Sequence, residues 1–154
     1  MNDRRPLRGD AGQVGGIEAL PFGVLIFVLG SLLIANAWAV VDAKFATDAA
    51  ARQAARTFVE GSEPTEALDA AIEAGRRAIE GHGRDPDHAV IAARGVPRLV
   101  RCERVSFTAS YTVPALSLPL IGGFGRSPFH VRSTHSELVD PFRDGLPGEA
   151  EDCT

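Results

Sequence analysis

Between Glu18 and Asp42 the chain carries 23 consecutive residues without a charge, Ala19 to Val41. As a helix rising about 1.5 Å per residue, the run would reach roughly 34 Å. That is enough to cross a hydrocarbon core of about 30 Å. A chain with such a segment is constrained to fold around it, as a membrane span followed by a domain on the far side. The stretch after it, DAKFATDAAARQAAR from Asp42 to Arg56, has no Gly or Pro break before Gly61. The helix is therefore predicted to continue to about Val59 and to end at Gly61, a residue suited to a C-terminal cap. Within it Asp48 precedes Arg52 by four residues, the favourable order for an ion pair. The span is thus the base of a longer helical rod, with Pro21 in the first turns, where a missing N–H is tolerated.

Charge sets the orientation. The leader, Met1 to Gly16, holds Arg4, Arg5 and Arg8 against Asp3 and Asp10, a net of +1, while Asp42 to Thr154 holds 13 basic and 17 acidic residues. Positive flanks stay in the cytoplasm, so the N-terminus is read as inside and the C-terminal part as exported. An acidic exported part speaks against nucleic acid as a partner. The polar leader, with Pro6, Gly9 and Gly12, is expected to be disordered. Arg4-Arg5 outlines a twin-arginine signal, but Pro6 follows and Asp10 intervenes. A cleavable secretory signal ending at Ala37-Trp38-Ala39 is the stronger rival. Against it, the apolar run exceeds an ordinary signal core, and Trp38 suits the outer membrane interface. A signal anchor in the inner or plasma membrane, in contact with lipid, is the preferred reading.

Glu18 stands at the mouth of the span. A carboxylate in the bilayer costs several kcal/mol and usually has a partner or a role; alternatively it lies among the headgroups and marks where the span begins. Gly23, Gly30 and Ser31 are small residues through which neighbouring helices could approach. Ala46, Ala49 and Ala50 are expected to extend that lateral packing along the rod.

Beyond Gly61 the pattern is that of a small mixed domain. Ser62 is expected to cap a second helix with Pro64 in its first turn. Leu68, Ile72, Gly75 and Ile79 form its buried stripe, with Glu66, Asp69, Glu73, Arg76, Arg77 and Glu80 on the solvated side. After turn residues 81–86 the period changes to two. Ala89 to Ala93 reads as a short strand, Val105 to Val113 alternates cleanly with Ser106, Thr108, Ser110 and Thr112, and Phe129 to Val139 reads as a third strand. The fold class is α+β: a long transmembrane helix extending into an exported rod, and an amphipathic helix on an antiparallel sheet of about three strands. The expected division is a leader over 1–16, the membrane helix and its continuation over 17–60, and the exported head over 61–154.

Two features of the head admit two readings each. Leu116, Leu118, Leu120, Ile121 and Phe124 lie in the connection PALSLPLIGGFGRSP, where they either cover the end of the core or form an apolar patch for a partner or the membrane surface. Cys102 and Cys153, both exported, either stay as thiols or form one bridge. A bridge would close a loop of about 50 residues and stabilise by roughly 3 to 4 kcal/mol.

Chemistry is hard to find. His130 and His135 are an odd number of residues apart on a predicted strand and point to opposite faces. His82 and His88 flank a turn, and neither cysteine has a zinc-site spacing. There is no nucleophile elbow, phosphate loop or dinucleotide fingerprint. No catalytic residue, metal or cofactor is expected, and the chain is read as non-enzymatic.

The short basic leader, GQVGGIE before the apolar span, DAAARQAAR directly after it, and the tail VSFTASYTVPALSLPLIGG followed by HSELVDPFRDGL together resemble the TadE-like minor pilins, or pseudopilins, of the tight adherence (Flp) pilus system. The resemblance covers most of the chain from Gly12 onwards and rests on the order of these stretches. It implies a membrane-anchored prepilin, trimmed on the cytoplasmic side by a prepilin peptidase, with other pilins and the pilus assembly machinery as partners. It also implies a role in pilus assembly, adhesion or anchoring. Glu18 matches the family's glutamate near the new N-terminus, whose charge pairs with the terminal amine of a neighbouring subunit. The processing region is Gly12, Gln13 and Val14. A cut after Gly12 makes Glu18 the sixth residue, and a cut after Gln13 makes it the fifth, the family's usual position. The rival is a bitopic envelope anchor that presents a binding domain and never joins a filament.

Overall fold

A computed structural model describes residues 19–113, 129–149 and 153. Its first element, α1, is one α-helix over Ala19–Glu60. It stops before Gly61, whose amide N–H bonds the Phe58 carbonyl at 3.0 Å. The chain's contacts group it into two units that divide inside this helix, Met1–Ala37 and Trp38–Thr154. In the described part of the first unit the side chains of Leu20, Phe22, Ile26, Phe27, Leu33 and Ile34 are all exposed. By length and composition α1 can cross a membrane.

The second unit, the head, already begins at Trp38. The head expected from residue 61 onwards therefore starts 23 residues earlier, and the rod-like continuation of α1 belongs to its core. The reason is the alanine content. Ala43, Ala46, Ala50, Ala51, Ala54 and Ala55 are wholly buried, and their spacing puts them on one face. A face without large side chains lets a sheet and a second helix come close.

The head is completed by α2 (Pro64–Gly81), a short 3-10 turn (Pro86–His88), β1 (Ala89–Ala93), β2 (Arg104–Val113) and β3 (Phe129–Leu138). The strands form an antiparallel sheet in the order β1-β2-β3. Ala89 lies opposite Tyr111, and Val113 opposite Phe129. The α+β class, the second helix and the three strands agree with the periodicities of the sequence. Val105, Phe107, Ala109, Tyr111 and Val113 are buried. On the opposite face hydroxyls pair across strands, Ser106 with Ser136 at 2.7 Å and Thr108 with Thr134 at 2.9 Å. His130 stands opposite Thr112, and His135 opposite Phe107. The two imidazoles thus lie on different faces of the sheet, as their odd spacing predicts.

Two details of α2 differ from expectation. Its N-cap is Glu63, which makes no side-chain capping bond. Pro64 takes the first helical position, leaving Ser62 one residue too early to cap. The buried face is Ala67, Ala71, Ala74, Gly75 and Ile79, while Leu68 and Ile72 are only partly buried at its border. The helix is turned so that, apart from Ile79, small residues meet the neighbours.

Gly75 shows why. A Cβ there would stand 3.1 Å from two carbons of Ile91 on β1 and 3.3 Å from the Ala50 carbonyl oxygen on α1. Gly75→Leu is expected to force the three elements apart and destabilise the head by about 2 kcal/mol or more. At about 4–8 °C per kcal/mol, the melting temperature of the purified chain should fall clearly. An unchanged melting temperature would show that this three-way contact does not hold the head together.

Candidate functional site

Lys44, on α1, donates from Nζ to the Arg132 carbonyl and, at 2.9 Å, to Ser133 Oγ, both on β3. Thr47, one turn further on, is wholly buried; its Oγ1 donates to the Lys44 carbonyl at 3.0 Å and lies 3.2 Å from Ser133 Oγ. Three polar side chains thus satisfy one another in the seam between α1 and β3. Burying them otherwise would cost more than their hydrogen bonds return.

Across the helix, Arg84 reaches back from the turn after α2. Its Nε and Nη2 donate to Asp42 Oδ2 at 2.9 and 2.7 Å, and Nη2 also donates to the Ala39 carbonyl at 2.7 Å. Arg84 is only 13% exposed, and its guanidinium carbon lies 5.2 Å from the centre of the Tyr111 ring. Desolvation, two acceptors and an aromatic face make this pair stronger than a surface ion pair. Asp42 and Lys44 are the charges that close the apolar run in the sequence. Both are turned towards the head, one on each side of α1.

The face of α1 between them is open. It carries Trp38 (72% exposed), Val41 (45%) and Phe45 (64%). Further along it bears two ion pairs, Asp48 with Arg52 and Arg56 with Glu60. The hydrogen bond to Glu60, and then the attraction of its charge, raise the Arg56 pKa above its ordinary value. Such exposed pairs contribute little to stability; what they fix is the polarity of this part of the helix.

The other end of the head is tied down by the C-terminal segment. Arg143 donates to the Val59 carbonyl from Nη1 and to the Glu60 carbonyl at 2.8 Å from Nη2, which satisfies the open carbonyls at the end of α1. Arg101 donates in turn to the Arg143 carbonyl and, at 2.8 Å, to that of Gly148. Cys102 and Cys153 form a disulfide, so the bridged reading of the two cysteines is the one the structure adopts.

Of the other expected site residues, Gly23 and Gly30 have nothing within 4 Å of where a side chain would begin. Ala46 and Ala50 are wholly buried inside the head, so they pack against this chain's own core and are not open to a neighbour. Ala49 is half-buried beside Gln53, Thr57, Ala74, Arg77 and Ala78, in an open groove of about 390 Å³ between α1 and α2. Gly12, Gln13, Val14 and Glu18, and the loop residues Leu116, Leu118, Leu120, Ile121 and Phe124, lie outside the described residues. Among the described residues no three His, Cys, Asp or Glu side chains stand together as a metal site would require.

The arginines that organise both ends, Arg84 and Arg143, carried no sequence signal. They act on residues 42 and 84 positions away, and no local pattern reports such a contact. Comparison of the chain with family models, with curated proteins and with solved structures yields no match.

Proposed function

We propose that this chain is a bitopic, non-enzymatic pilin-like subunit of the kind found among TadE-like minor pilins. Residues 19–37 lie in the cell membrane, and the head is exported. Its work is contact with other pilin subunits, priming or anchoring a tight adherence pilus. The observation that carries the reading is α1 itself, a single helix whose first half is apolar and uncovered and whose second half is the core helix of an α+β head. A subunit built this way transmits a contact made in the membrane directly to the exported domain.

With Ala46 and Ala50 enclosed by the head, lateral packing between subunits falls to the span, at Gly23 and Gly30, and to Glu18 paired with a neighbour's terminal amine. Opposite charges in a low-dielectric layer offset each other's burial. The test is cross-linking in native membranes through a photoreactive residue at position 30. Lateral oligomers that form in the wild type and fall severalfold with Glu18→Ala support the subunit reading. A monomer indifferent to Glu18→Ala would overturn it in favour of an envelope anchor that joins no filament.

A further inference from the structure

The open face of α1 in the head changes character over a single turn. Trp38, Val41 and Phe45 follow one another at spacings of three and four, so they share one side of the helix. The side chains that continue this face are Asp48 and Arg52, joined at 2.6 Å. Phe45 is the last apolar residue before charge begins. On either flank Asp42 is held by Arg84, and Lys44 by Arg132 and Ser133. The face below Asp48 is therefore apolar although two charged residues border it.

We propose that this face is a lipid-interface seat: the head rests in the headgroup layer of the bilayer on Trp38, Val41 and Phe45, with the waterline between Phe45 and Asp48. The inference rests on the membrane reading of α1 and specifies how the head meets that membrane. The occupant follows from continuity and chemistry. The face prolongs an uncharged run that begins at Ala19, and aromatic residues favour the zone between hydrocarbon and water. Twenty residues from Ala19 end at Trp38 and cover about 30 Å, the depth of the hydrocarbon layer. Phe45 follows about 10 Å higher, and the headgroup layer is roughly 5–7 Å deep. Helical side chains lean towards the N-terminus, here towards the membrane, which brings the Phe45 ring down into that layer.

The same end of the head carries a further aromatic. Phe129, 48% exposed, opens β3 opposite Val113, beyond Tyr111 and its contact with Arg84. Arg84 bonds the Ala39 carbonyl, one residue past Trp38.

Trp38 is the only tryptophan, so fluorescence reads one depth at a time. The full chain is placed in dioleoylphosphatidylcholine nanodiscs, which leave both membrane surfaces accessible. Three forms are compared: the wild type, Trp38→Phe with Phe45→Trp, and Trp38→Phe with Arg52→Trp. Each is quenched by lipid brominated near the ester end of its chains and, separately, by aqueous iodide. The tryptophans at positions 38 and 45 should be quenched by brominated lipid, and iodide quenching should be about threefold weaker there than at position 52. If position 38 responds to lipid while position 45 is as open to iodide as position 52, the seat is wrong and the span stands. If neither position responds to lipid, the span reading fails with it. If position 45 is shielded from iodide yet untouched by brominated lipid, a protein chain covers the face and the lipid seat is overturned.

Discussion

Phe58→Ala is expected to lower the stability of the head by about 3–5 kcal/mol, the range for removing a fully enclosed aromatic side chain. Phe58 is wholly buried near the end of α1, and its ring centre lies 5.6 Å from that of Phe107 on the central strand. Alanine already lines most of this face, so there is little side-chain bulk nearby to move into the void. A domain of this size has only about 5–15 kcal/mol of total stability, and one truncation takes a large share. With a urea dependence of about 1–3 kcal/mol per molar, the unfolding midpoint of the detergent-solubilised chain should drop by about 1 M or more. Phe45→Ala, on the open face of the same helix, should change the stability by less than about 0.5 kcal/mol in detergent. Equal effects at the two positions would contradict the assignment of inner and outer faces to α1.

The second large effect belongs to the disulfide. Cys102 and Cys153 are 51 positions apart, and closing a loop of that length restricts the unfolded chain by the equivalent of about 3–4 kcal/mol. Cys102→Ala with Cys153→Ala should lose about that amount, and reduction of the wild type should reproduce the loss. The contacts around the bridge suggest where the chain loosens first. Arg101 N–H bonds the Pro147 carbonyl at 3.0 Å, the Cys102 N–H bonds the Val139 carbonyl, and Arg143 holds the end of α1. Hydrogen exchange should therefore rise first over residues 139–149 and at the last turn of α1. A midpoint unchanged by reduction would mean that those contacts alone hold the segment.

The legible part of the fold was carried by strong, local signals. An uncharged run, a helix without a break and the alternation from Val105 to Val113 each state a period that the backbone must satisfy. The cysteine pairing was open between two readings. What stayed hidden depends on small residues and long reaches. Ala46 and Ala50 read as a surface for other subunits because alanine has no strong preference for core or surface, and only the fold shows that this chain's own sheet and α2 use that side. The face of α2 was read only in part for the same reason: Gly75 and Ile79 are buried as expected, but Leu68 and Ile72 stand at the border and Ala67, Ala71 and Ala74 take their place. Trp38 was expected as an interfacial aromatic, and the structure shows its side chain exposed. That Asp42 and Lys44 turn away from the face beside it was not legible, since their partners come from residues 84, 132 and 133.

The most direct measurement is the N-terminal residue of the mature protein, by intact mass and terminal sequencing of the chain recovered from membranes with and without prepilin peptidase. The predicted result is a start at Gln13 or Val14 that depends on the peptidase, with the span retained and Glu18 within the first six residues. A start near Val40 would contradict it, because the span would then be a discarded signal and the head a secreted domain.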